Sequence, residues 1–260
     1  MKHKIAPLWF VIGFACLAQN REPYPARWWT PVPEDHKAVW EILPQAAKPG
    51  EVILSKRNEL GILSNFAATP FEFRGHRYAS VEGFWQMLLY PEGPADPRAQ
   101  ASGITWLHTR AEVAQMTAFE AKDAGTAAEE NMRKMGIDWV TFEGQRLTYR
   151  AKKKAGHYRL IVAAMRAKLE QNPKVREVLL KTGNLILLPD HIAEPHAPPE
   201  WLYYKIWMDI RSELQRLPKR ASANNGATLF FSSTRSAINS PTAGQFLNPC
   251  PDPPPANHAF

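Results

Sequence analysis

Glu82 is the side chain whose surroundings most suggest chemistry. In Ser80-Val81-Glu82-Gly83-Phe84-Trp85-Gln86, Ser80 is a good N-cap, so a helix is expected to start there and run to about Tyr90. The dipole of that helix lowers the pKa of a first-turn carboxylate. It predicts an ionised Glu82 at neutral pH, acting as a base or as the partner of a developing cation. The plainer alternative is a charge partner for the helix start. Lys122, in Ala121-Lys122-Asp123-Ala124-Gly125, falls on a short helical stretch where a lysine is ordinarily solvated. Asn65 carries both donor and acceptor in a loop, able to hold hydroxyls or a base edge, or else to close an Asx-type turn. Trp85 and Trp139 can stack on a flat ring or fill a core. Asp190 follows the apolar run Leu185 to Leu188, either as an ordinary strand-end residue or as an acid bordering a pocket.

Charge separates few function classes. The 260 residues carry a formal +7, but residues 51–216 hold 23 Lys/Arg against 20 Asp/Glu, a net of only +3. A weakly basic core suits a phosphate-bearing small molecule as well as nucleic acid. The run Arg146, Arg150, Lys152, Lys153, Lys154 and Arg159 reads as a solvated face, or as a guide for a pyrophosphate or DNA backbone if it flanks a pocket. No Cys/His cluster has zinc spacing, so no structural metal is expected, and no cofactor is expected either.

The elements that must position these residues are short. Glu51 to Ser55 reads as a strand, and Phe71 to Tyr78 alternates around Gly75 as a hairpin. Helical patterns cover Arg110 to Gln115, Ala118 to Asp123 and Ala127 to Lys134. Asp138 to Leu147 reads as a second hairpin with Gly144 in its turn. His157 to Gln171 is the strongest helix, and Pro173 starts another that ends near Thr182-Gly183. A buried strand over Leu185 to Leu188 and a closing helix over Glu200 to Leu217 complete an α+β, mostly helical single domain.

The flanks differ from this centre. Residues 1–18 have the form of a secretory signal: Lys2 and Lys4, then 14 apolar residues from Ile5 to Ala18, ending in Cys16-Leu17-Ala18. A secreted or periplasmic protein follows from that reading, with no membrane association once the signal is removed. Residues 19–50 form a Pro/Trp-rich arm, expected to pack on the domain in extended form with a short helix near Glu34 to Leu43. From 218 to 260 the Ala, Ser, Asn, Thr, Gly and Pro content predicts a disordered tail.

Three segments resemble the NADAR family. The first is Leu63-Ser64-Asn65-Phe66 with Pro70-Phe71, Gly75, Tyr78 and Ser80 to Gln86, with Gly83 where the family usually has histidine. The second is Ala121-Lys122-Asp123-Ala124-Gly125. The third runs from Met165-Arg166-Ala167-Lys168-Leu169 through Asn172 to Leu179-Leu180 and Thr182-Gly183. The resemblance covers about residues 51–216. It implies an N-glycosidase, acting on phosphoribosylated riboflavin precursors or on ADP-ribose attached to guanine, the latter leaving nucleic acid as a possible carrier. It also implies that Glu82 and Lys122 are catalytic. Breaking a ribose–nitrogen bond builds oxocarbenium character that a carboxylate can offset. A lysine whose pKa burial lowers could trap C1′ as an imine once the sugar ring opens, and a charged one could hold phosphate.

The chain departs from the family pattern near its end. Leu187-Leu188-Pro189-Asp190-His191 is followed by Pro198-Pro199-Glu200-Trp201, without the family's Trp-Gly loop. Asp190 is the best replacement for the family's acid and Trp201 for its tryptophan, beside Asn65, Trp85 and Trp139 as substrate-binding residues. These departures keep open an alternative of another class, a non-catalytic ADP-ribose- or nucleotide-binding module. Retention of Glu82 and Lys122 together favours the enzyme, because recognition alone needs neither.

Overall fold

Two-residue turns in left-handed backbone make both hairpins. Arg74 and Gly75 (φ 53° and 77°) join β2 (Phe71–Phe73) to β3 (His76–Tyr78), and Glu143 and Gly144 (φ 50° and 73°) join β4 (Trp139–Phe142) to β5 (Gln145–Thr148). A glycine at the second turn position relieves half of the steric cost that such turns impose. The computed structural model describes residues 23–216. The leader expected over 1–18 and the tail expected over 218–260 lie outside the described residues.

Among the described residues six α-helices lie between the hairpins and after them, giving an α+β fold. They are α1 (Val81–Met87), α2 (Arg110–Ala114), α3 (Ala118–Met135), α4 (Gly156–Gln171), α5 (Pro173–Lys181) and α6 (Tyr203–Arg216). The third pairing is parallel: β1 (Glu51–Ile53) lies beside β6 (Ile186–Leu188), with Val52 opposite Leu187. Both strands deliver the residues that follow them, Lys56 and Asp190, to one place. The core holds Trp28, Leu60, Phe84, Val140, Ile161, Met165, Leu179 and Trp207, all buried.

Four expectations change at the element level. Ala118 to Met135 is one helix rather than two, because Gly125 is a packing surface rather than a break. A Cβ there would land on the Gln86 side chain of α1. Helix α1 stops at Met87 instead of Tyr90. The buried Arg98 guanidinium accepts the chain's exit by donating to the Leu88 and Leu89 carbonyls, both at 3.0 Å. The last helix starts at Tyr203, after a 3-10 turn over Pro199–Trp201 imposed by Pro198-Pro199. In the arm, Glu34–His36 is a single 3-10 turn. The arm nonetheless belongs to the core. Trp28 and Trp29 are buried, and their indole N–H groups donate to Glu59 (2.7 Å) and to the Glu51 carbonyl (2.9 Å).

Among the described residues no helix is long and apolar enough to cross a membrane.

Candidate functional site

A buried lysine fixes the loop on which the site is built. Lys168, on the inner face of α4, donates from Nζ to the Ser64 carbonyl at 2.9 Å, and the Trp207 indole donates to the Leu63 carbonyl at 2.6 Å. Burial pushes the Lys168 amine down to about 7. Pinned in this way, Leu63-Ser64-Asn65-Phe66 presents the Asn65 carbonyl to the Glu82 N–H at 3.0 Å, which joins the loop to the start of α1. Ser80 caps α1 as expected, its Oγ accepting from the Gly83 N–H at 2.9 Å.

These elements enclose a cavity of about 610 Å³, the size of small-molecule sites. Its wall includes Asn65, Glu82, Trp85, Lys122 and Trp201. Five of the seven residues singled out in the sequence therefore share one cavity. Asp190 does not line it but acts on it. Buried at the end of β6, its carboxylate takes Lys56 at 2.5 Å and His191 at 3.2 Å, and both of those line the cavity. Burial works to raise the Asp190 pKa, but the His191 hydrogen bond and the Lys56 charge outweigh it and leave it below the ordinary value. Trp139 is placed elsewhere. Its ring lies against the guanidinium groups of Arg98 (5.0 Å) and Arg146 (4.2 Å), outside the cavity wall.

Glu82 differs electrostatically from the sequence expectation. It is buried, and desolvation raises its pKa to about 7 instead of the helix start lowering it. A hydrogen bond from Gln86 Nε2 to Glu82 Oε1 at 2.8 Å and the charges of Lys122, Lys56 and His191 oppose that rise. Both protonation states are thus accessible near neutral pH. Lys122 lies exposed on the cavity wall, its ammonium 5.8 Å from the Phe119 ring, so the burial that an imine-forming amine requires is not met here. Asn65 lines the cavity as a residue, but its Oδ1 is buried against protein and has no hydrogen-bond partner.

The far wall is braced by groups of which, among candidate site residues, the sequence pointed only to Arg150 and Trp201. Tyr149 donates its hydroxyl to Glu129 at 2.6 Å, and Arg150 donates to the same carboxylate at 2.7 Å while its guanidinium lies 4.8 Å from the Trp201 ring. Behind them the buried His157 meets Glu200 at 2.9 Å, which ties the segment carrying Trp201 to α4. Of the basic run, Arg150 reaches the cavity wall. Lys56, Gln86, Phe119, Glu129 and Tyr149 also went unsingled. For Phe119 a signal existed, since positions 119, 122 and 126 share a helix face. For Lys56 there was none, because its partner lies 134 residues away.

Among the described residues no three His, Cys, Asp or Glu side chains group to hold a metal ion. The cavity offers aromatic faces, cations and one buried carboxyl with accessible protonation states. That combination can hold a phosphorylated, ring-bearing ligand and exchange a proton with it.

No protein-family profile matches the chain, and no curated protein matches it. The NMR structure of the E. coli protein YbiA is similar at 20% identity, over 64% of this chain and 86% of that one, with a TM-score of 0.39. A likeness that slight carries no activity across.

Proposed function

We propose that this protein is an N-glycosidase that hydrolyses the bond between ribose C1′ and a base nitrogen in a phosphorylated, nucleotide-like substrate. ADP-ribosylated guanine and a ribosylated pyrimidine precursor of riboflavin are the two substrate types that the sequence resemblance implies. The observation that carries the reading is Glu82: a buried carboxyl with a pKa of about 7 on the wall of a cavity that also presents Asn65 and the cations Lys122, Lys56 and Arg150.

In the proposed reaction the bonding electron pair leaves with the nitrogen, which takes up a proton from solvent, and C1′ acquires oxocarbenium character. The Glu82 carboxylate offsets that charge and accepts a proton from the water that completes the anomeric hydroxyl. The Asn65 side chain, on the cavity wall, hydrogen-bonds a ribose hydroxyl. Lys122 and Lys56 hold phosphate, the first as an exposed point charge, the second oriented by Asp190. Trp85 and Trp201 flank the base. Read with the leader at residues 1–18, the enzyme is an exported one.

The test is hydrolysis of ADP-ribosylated guanosine and of a ribosylated pyrimidine phosphate by purified protein without added cofactor. The value of kcat/KM is expected to rise with pH through about 7, as Glu82 loses its proton. Glu82→Gln should lose roughly a hundredfold or more in kcat. Lys122→Arg should retain most activity and Lys122→Ala lose it, through KM. A Glu82→Gln variant at near wild-type rate sinks the proposed role. Binding without any turnover favours the binding-module alternative.

A further inference from the structure

Helix α3 serves as a ruler along the cavity. Phe119, Lys122, Thr126 and Glu129 all line it and all fall on one face of the helix. Ten residues at 1.5 Å each make the wall about 15 Å long. At the Glu129 end stand Tyr149 and, through Arg150, Trp201. Gln86 packs against Gly125 and holds Glu82, so the reacting carboxyl sits near the middle. At the Phe119 end three rings meet: Trp40 lies 5.7 Å from Phe119, and Phe66 stands edge-on to Phe119 at 5.2 Å.

Core packing does not account for these rings. Trp40 is 39% exposed and Phe119 44%, and Phe66 and Phe119 also line a second cavity of about 400 Å³. Apolar rings kept in contact with water beside a polar cleft mark a binding surface. Trp40 is also anchored where it stands. Its neighbour Glu41 bridges to His191 and takes the Arg57 guanidinium at 2.7 and 2.6 Å. Lys56 Nζ lies 5.1 Å from the Trp40 ring and 5.2 Å from Phe66, which places a cation at the inner edge of the cluster.

We infer that Trp40, contributed by the N-terminal arm, completes with Phe66 and Phe119 a second ring-binding site that takes a flat heterocycle remote from the bond being cut. The preferred ligand then carries two rings joined by an anionic linker, the linker running past Lys56 and Lys122. This rests on the glycosidase reading for the position of the reacting bond. Trp40 stands in the arm, so the site does not follow from the segments on which the family resemblance rests.

The experiment compares ADP-ribose and ribose 5-phosphate as calorimetric probes of the full chain, with hydrolysis of a one-ring ribosylated base phosphate measured in parallel. Trp40→Ala should weaken ADP-ribose by roughly tenfold or more, about 1.4 kcal/mol, and leave ribose 5-phosphate unchanged. Trp40→Phe should recover most of the loss. Equal weakening of both probes, or of neither, overturns the ring site. One-ring turnover that survives such a result leaves the glycosidase reading standing. Conversely, Trp40-dependent ADP-ribose binding without any turnover keeps the ring site and removes the glycosidase. Unchanged thermal unfolding of Trp40→Ala separates lost stacking from lost structure.

Discussion

Burial and the helix start act on Glu82 in opposite directions, and burial wins. A helix terminus is worth roughly 0.3–1 kcal/mol to a charge. Raising a carboxyl from its model value of 4.5 to about 7 corresponds to about 3 kcal/mol. The folded state binds the Glu82 proton more tightly than the unfolded chain does. The contribution is therefore complete below pH 4.5 and lost as pH rises to about 7. Glu82→Gln should accordingly be more stable than wild type at pH 8, by up to about 3 kcal/mol, with the difference closing near pH 4.5. Denaturant titrations of both proteins at the two pH values check this. A gap that is the same at both would show that Glu82 is not desolvated in the folded protein.

At the scale of elements, two glycines set how closely α1 approaches its neighbours. A Cβ on Gly83 would sit 2.5 Å from the Met116 carbonyl oxygen and 2.9 Å from that of Val113. A histidine at this position, as in the family pattern, has no space against the backbone at the end of α2. Gly83 thus faces packing and not the cavity, and its presence does not argue for a lost reaction. Gly125 differs, because its obstacle is a side chain that can move. Gly125→Ala gains up to about 1 kcal/mol of helix propensity but displaces Gln86 from Glu82. The variant should fold, with a melting temperature within a few degrees of wild type, and lose roughly tenfold to a hundredfold in turnover. That is the range of a hydrogen bond to a charged group. Gln86→Ala should show the same loss, and the double variant no more than either alone, since both act through one contact. Additive losses would mean that Gly125 matters for some other reason.

For the whole molecule, the two flanks should behave oppositely when removed. A chain beginning at residue 51 lacks Trp28 and Trp29, both buried and both hydrogen-bonded to the remaining domain. Deleting even one such ring costs about 3–5 kcal/mol, and losing both with their partners Glu59 and Glu51 left bare should prevent cooperative folding. Removing 219–260 should shift stability by no more than about 0.5 kcal/mol. The composition of that segment gives it little apolar surface to bury, apart from Leu229-Phe230-Phe231. Thermal unfolding of the two truncated chains beside the full one decides both points. A fall of many degrees on removing 219–260 would place part of that segment in the core.

What could be read directly from the sequence was local. Ser80 caps α1, Gly75 and Gly144 turn the hairpins, and Pro173 opens α5. Each depends on sterics and hydrogen bonds among residues close along the chain, so the sequence carries them without knowledge of the fold. Glu82, Lys122, Asn65, Trp85 and Trp201 could be singled out as residues, but their meeting in one cavity could not be derived from spacing. Tertiary structure alone decided the rest. It paired Lys56 with Asp190 across 134 positions, it brought Trp40 of the arm to Phe119, and it raised the Glu82 pKa to about 7. It also sent Trp139 to Arg98 and Arg146, away from the cavity. The reason is common to all of them. Desolvation and long-range pairing are set by which neighbours exclude water around a group, and those neighbours are assembled only when distant segments pack.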